Sequence, residues 1–114
     1  MADVAEEPLR SRVGTGLAEL QLVAVEMKAD ADLARGRHLA VVTDLDPVVE
    51  RHRTRERLTE LRMVALYRSG RQVDALAEYR RTRDVLVDEL GVEPGEALRR
   101  LQRQILAGRS SAVL

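Results

Sequence analysis

The stretch Ala31-Asp32-Leu33-Ala34-Arg35-Gly36-Arg37-His38 returns 34 residues later as Ala65-Leu66-Tyr67-Arg68-Ser69-Gly70-Arg71-Gln72. The register holds downstream as well, where Leu39, Val41, Val42 and Leu45 align with Val73, Ala75, Leu76 and Tyr79. This period, carried by small and apolar positions, is the length of a tetratricopeptide-type helical hairpin. Such a unit buries one face of each helix and needs neighbours to stack on.

The composition agrees with a helical stack. The chain has 114 residues, enough for one domain with a modest core, and 45% of them are hydrophobic. Its only aromatics are Tyr67 and Tyr79, so the core is built from Leu, Val, Ala and Ile, which suits close helix packing. There is no cysteine, which excludes disulfides and thiolate metal sites. No apolar run reaches the length of a membrane span, and the start Met1-Ala2-Asp3-Val4-Ala5-Glu6-Glu7 is acidic, unlike a signal peptide; a cytoplasmic location is expected. The 19 basic residues balance the 19 acidic ones, so no global field draws the chain to nucleic acid or anionic lipid. Lys28 is the only lysine, and the arginine excess reads as compositional bias rather than a site.

Periodicity predicts five helices. Residues 1–16 read as a frayed lead-in, irregular up to Pro8 and helical from about Leu9 but weakened by Gly14 and Gly16. The first helix then carries Leu17, Leu20, Val23, Ala24 and Met27 as its stripe and stops at Gly36. A second, from about His38, carries Val41, Val42, Leu45, Val48 and Val49, with a kink or restart expected at Asp46-Pro47. After Arg51-His52-Arg53-Thr54, with Thr54 as the expected N-cap, a third runs to about Ser69 on Leu58, Leu61, Val64 and Ala65. The fourth spans about Gln72 to Leu90 with two apolar edges, Val73, Leu76 and Ala77 on one and Ala75, Tyr79, Leu86 and Leu90 on the other. The fifth is expected to open with Pro94 at its first position, to bury Ala97, Leu98, Leu101 and Ile105, and to end at Gly108. The expected fold is all-α: a right-handed, tetratricopeptide-like stack of two antiparallel hairpins closed by a C-terminal helix. The domain covers 17–107, and 108–114 form a tail.

Beyond the generic repeat, three strings carry a more specific likeness. They are Ala65-Leu66-Tyr67-Arg68-Ser69-Gly70-Arg71, Ala75-Leu76-Ala77-Glu78-Tyr79-Arg80, and Glu89-Leu90-Gly91-Val92-Glu93-Pro94-Gly95. Together with Glu26, Leu33, Gly36-Arg37-His38 and Leu45, they resemble the bacterial transcriptional activator domain of SARP-type antibiotic regulatory activators, over about residues 17 to 106. In that family the motif residues are Gly36, Arg37, Ala65, Tyr67, Gly70, Arg71, Ala75, Leu76, Tyr79, Gly91 and Pro94. The resemblance implies a regulatory module that helps an activator dimerise and contact RNA polymerase. In the family the module follows a winged-helix DNA-binding domain, whose recognition motif this chain lacks. The family commonly has proline after the connection's histidine, where this chain has Arg53; that departure predicts a looser turn at His52–Thr54.

The remaining features point to surface rather than chemistry. Arg51, Arg53, Arg55 and Arg57 form a basic run that serves either as a partner contact or as a solvated connection neutralised by Glu50, Glu56 and Glu60. His38 and His52 lack the spacing and the carboxylates of a metal or general-base site, and His38 fits packing at a helix start. Asp30 and Asp32 diverge on a helix, and the glycines form no phosphate-cradling loop. No catalysis, cofactor or metal is expected. The functional expectation is a module acting through protein contacts: a homodimer, RNA polymerase or a winged-helix domain, without direct DNA or membrane contact. The alternative is a generic tetratricopeptide-like scaffold that binds peptides in signalling, with Tyr67 and Tyr79 either lining a groove or packing in the core.

Overall fold

Five helices and a π-helical turn make up the chain in a computed structural model that describes the backbone of residues 3–110 and the side chains of residues 16–110. The helices are α1 (Asp3–Ala34), α2 (His38–Arg51), α3 (Glu56–Arg68), α4 (Gln72–Val85) and α5 (Glu96–Leu106), with the π turn Leu86–Leu90 prolonging α4. No strand occurs among the described residues. α1 pairs with α2 and α3 with α4 as antiparallel hairpins, and α3 packs against all four other helices.

The two Gly-Arg doublets close their helices by one mechanism. Gly36 and Gly70 adopt left-handed backbones, φ 76° and 79°. Each lets the following arginine fold its N–H back: Arg37 donates to the Asp32 carbonyl at 2.8 Å and Arg71 to the Leu66 carbonyl at 2.9 Å. Gly36 and Gly70 themselves donate to Leu33 and Tyr67, both at 3.0 Å. This pair of bonds is a Schellman closure, which satisfies carbonyls that a helix end leaves orphaned. The 34-residue repeat is therefore a repeat of hydrogen bonds as well as of residue types.

The core runs through the stack from Ala29, Leu33, Val41 and Leu45 to Leu98, Leu101 and Ile105, with α3 at its centre. On α3, Leu58, Met63 and Ala65 are fully buried. The large side chains Leu58 and Met63 each contribute roughly 1.5–3 kcal/mol by leaving water.

Several local expectations are corrected. α1 is already helical at Asp3 and passes Pro8, where an irregular lead-in is expected, before running on through Gly14 and Gly16; the side chains of residues 1–15 lie outside the described set. Its buried face is Ala29, Asp32 and Leu33, with Leu22 and Val25 packed alongside, whereas Leu17, Leu20, Val23 and Met27 are exposed. α2 continues through Pro47 without a restart, because Leu45 and Val49, each 1% exposed, anchor it on both sides of the lost donor. Thr54 is not the cap of α3; Arg55 holds that position, and no side chain bonds there. Val73 on α4 and Leu90 on the π turn are exposed, and Glu78 and Thr82 take the buried places beside Ala75 and Tyr79. Pro94 is buried but precedes the N-cap of α5, which is Gly95. The Gly95 N–H donates to the Glu56 carboxylate at 2.7 Å, so α3 positions the start of α5. Ala97 is exposed, and Leu98, Leu101 and Ile105 form the stripe.

Candidate protein-contact surface

Three of the four arginines in the basic run are spent inside the molecule. Arg53, expected on an exposed connection, is 8% exposed. Its guanidinium donates to Glu78 Oε1 at 3.0 Å and Thr82 Oγ1 at 3.3 Å, and it pairs closely with Glu50. The His52–Thr54 turn is pinned by these bonds and by the Arg55 N–H to the His52 carbonyl at 2.9 Å, rather than loosened by the loss of proline. Arg55 reaches across to α1, donating to Glu26 at 2.7 Å and Glu19 at 2.8 Å, and those hydrogen bonds push its pKa upward. Arg57 bonds Asp30 of α1 at 2.7 Å and Glu60 at 2.7 Å. Arg51 is exposed, with its Nε 3.4 Å from the Pro47 carbonyl. The run thus ties α1 and α4 to the α2–α3 connection instead of forming one basic patch.

Glu78 is the charged centre of the interior. It is 0% exposed and takes hydrogen bonds from Arg53, Arg62 at 2.9 Å and Arg81 at 2.6 Å. Burial pushes its carboxyl up, but bonding from Arg81 and the charges of Arg62 and Arg53 outweigh burial and hold it below the usual carboxylate value. Beside it, the Thr59 and Thr82 hydroxyls share a 2.7 Å hydrogen bond. Sequence reasoning placed Glu78 inside a motif string but not inside the core. The only signal was indirect: a glutamate with Arg53, Arg62 and Arg81 at distances that a hairpin can bring together.

The motif residues sort into core and joints. Ala65 and Ala75 are fully buried and let α3 and α4 approach, and Tyr79 is 5% exposed, with burial pushing its hydroxyl up. Leu76 and Tyr67 are partly buried against that core. The Tyr67 hydroxyl donates to the Arg109 carbonyl, which ties the segment after α5 to α3. Both tyrosines therefore pack helix against helix. Gly91 ends the π turn at φ 67°. His38 is partly buried, and its Nδ1 has no hydrogen-bond partner among the described residues. No group of His, Cys, Asp or Glu suited to a metal occurs among the described residues.

Against this interior the outer face of α1 stands out. Leu17, Leu20 and Met27 are 57%, 67% and 67% exposed, on the side turned away from α2. No described helix is long and apolar enough to cross a membrane.

The chain matches the bacterial transcriptional activator domain over residues 1–106. It belongs to that family. Regulatory protein AfsR of Streptomyces coelicolor is 50% identical over 90 residues, covering 79% of this chain and 9% of AfsR. Transcriptional regulator RedD of the same species is 47% identical over 89 residues, covering 78% of this chain and 25% of RedD. Among solved structures, Mycobacterium tuberculosis EmbR in complex with a low-affinity phosphopeptide superposes with a TM-score of 0.82 at 41% identity, covering 84% of this chain and 25% of that one. The chain thus spans a quarter or less of each of these relatives. They are regulators of SARP and EmbR type, and this likeness bears out both the all-α, tetratricopeptide-like fold and the family resemblance read from the sequence.

Proposed function

We propose that this chain is the regulatory and oligomerisation module of a bacterial transcriptional activator, working in the cytoplasm through protein–protein contacts. Its partners are a second copy, RNA polymerase or a winged-helix DNA-binding domain, and the chain makes no DNA contact of its own. The observation that carries the reading is the apolar outer face of α1 in a chain of this family. Scattered exposed leucines are ordinary, but a run along one helix face is a mark of association. The balance of 19 basic and 19 acidic residues, with most of the 51–57 arginines paired internally, disfavours a phosphate-binding surface.

Sedimentation velocity across a concentration series, repeated with added RNA polymerase holoenzyme and with an isolated winged-helix domain, tests this reading. A concentration-dependent dimer, or a complex with either partner, is the expected result. A strict monomer that binds neither partner overturns it. Binding to duplex DNA that weakens steeply with salt would overturn the exclusion of direct DNA contact.

A further inference from the structure

The 34-residue period lets the two hairpins be compared position by position, and one site is filled in the second but open in the first. Between α1 and α2 lies an open cavity of about 240 Å³. Val25, Ala29, Val41, Leu45 and Val48 wall it, and its charged lining is Lys28, which bonds Asp32 at 2.8 Å, with Asp44 as the more exposed second carboxylate, 3.6 Å from Lys28. One repeat later, Val25, Ala29, Val41, Leu45, Lys28 and Asp44 have as counterparts Thr59, Met63, Ala75, Tyr79, Arg62 and Glu78. That second set surrounds a closed interior: Thr59, Met63, Ala75 and Glu78 are 0% exposed. Arg53 closes it. This side chain comes from the connection ahead of the hairpin and bonds both Glu78 and Thr82. The Arg62–Glu78 pair at 2.9 Å has its counterpart in Lys28–Asp44 at 3.6 Å, where both side chains are more than half exposed.

The outer face of α1 repeats the comparison. Ala24, Met27 and Ala31 are exposed, whereas their counterparts Leu58, Leu61 and Ala65 are at most 2% exposed on α3, which packs against α2. Arg62, the counterpart of Lys28, also donates to the Val42 carbonyl at 3.2 Å and pairs with Asp46 at 3.4 Å, both on α2. The first hairpin therefore presents, uncovered, the surface that the second covers with a helix and an inserted arginine.

We propose that the α1–α2 hairpin is a docking site for a partner helix of α2-like chemistry, followed closely by an arginine that enters the α1–α2 cavity and pairs with Asp44. The apolar walls suit the methylene stem of such a side chain, and the carboxylate suits its guanidinium. An acidic residue on the helix would meet Lys28, as Asp46 meets Arg62. A second copy of this chain does not supply the insert, since its α2 and Arg53 are already engaged with its own α3 and α4, and its α4 packs against α5. The inference rests on the protein-contact reading above and names one partner surface for it.

The probe is a fluorescein-labelled, helix-stapled peptide with the sequence of residues 38–55, which contains α2 and Arg53. Titrated with the full chain and followed by anisotropy, it is expected to bind saturably. Met27→Asp and Asp44→Asn in the chain, both at exposed positions and checked for unchanged circular dichroism, should each weaken binding about tenfold, as should an Arg53→Ala peptide. Combining Asp44→Asn with the altered peptide should cost less than the sum of the two, because they remove one interaction. Absence of saturable binding, equal binding of a scrambled peptide, or indifference to Asp44→Asn overturns the site. Self-association of the chain that Met27→Asp abolishes would place a second copy on this face and overturn it too. If the peptide fails while RNA polymerase still binds, the site falls and the regulator reading stands.

Discussion

At the residue scale, the molecule's stability is most exposed at Glu78. A buried carboxylate held by three arginines is weak evidence for stability in itself, but removing it takes one carboxylate partner from each of the largely buried guanidiniums of Arg53 and Arg62. Glu78→Ala is expected to cost about 3–5 kcal/mol in urea unfolding. The pH dependence has a definite sign. Because the folded carboxyl titrates below its ordinary value of 4.5, its contribution is complete above that value and is lost as the pH falls through the folded pKa. Unfolding midpoints recorded from pH 6 to about pH 2.5 should show this acid limb, and Glu78→Gln should make it shallower. Arg53 teaches the complementary lesson. Its charged neighbours in sequence made it look solvated, and only the packing of α4 beside the α2–α3 connection supplies the carboxylate that permits its burial.

At the element scale, the glycine closures and the small residues of the second hairpin are the sensitive points. Gly70 sits at φ 79° with open space where a Cβ would project, so Gly70→Ala introduces backbone strain without a clash. It should lower stability by about 1–2 kcal/mol, and Gly36→Ala should do the same, read from denaturant midpoints at constant m-value. Ala75 is different: it is fully buried between α3 and α4, so Ala75→Leu overpacks the hairpin. About 1–3 kcal/mol of destabilisation is expected, and unchanged stability would remove the close approach assigned to this position. Helix ends were legible because a glycine followed by an arginine in each repeat dictates a left-handed closure. The inner stripe of α1 was misread because α1 is apolar on two sides. Periodicity locates both sides but does not say which of them a neighbour covers.

At the scale of the whole molecule, α3 is the keystone, since every other helix packs on it. Its amides should exchange slowest with deuterium, near the limit set by global unfolding, while the exposed α1 stretch from Leu17 to Met27 exchanges faster. Hydrogen-exchange mass spectrometry reads this directly, and equal protection of α1 and α3 would contradict the uncovered state of the first hairpin. Docking of a helix on α1 should then raise protection there, which couples the proposed contact to the stability of the stack.

The amino-acid sequence alone determined the all-α class, the two hairpins, their glycine closures and the family, because each rests on local backbone preferences and a period that needs no partner to be seen. It also contained, unread, the equivalence of Asp44 with Glu78 and of Lys28 with Arg62. Tertiary structure alone decided which of those equivalent groups are buried, which arginines are spent internally, and which face of α1 meets water. The physical reason is that burial belongs to pairs of elements. The same apolar or charged side chain is core beneath α2 and surface on α1, and only the assembled stack separates the two.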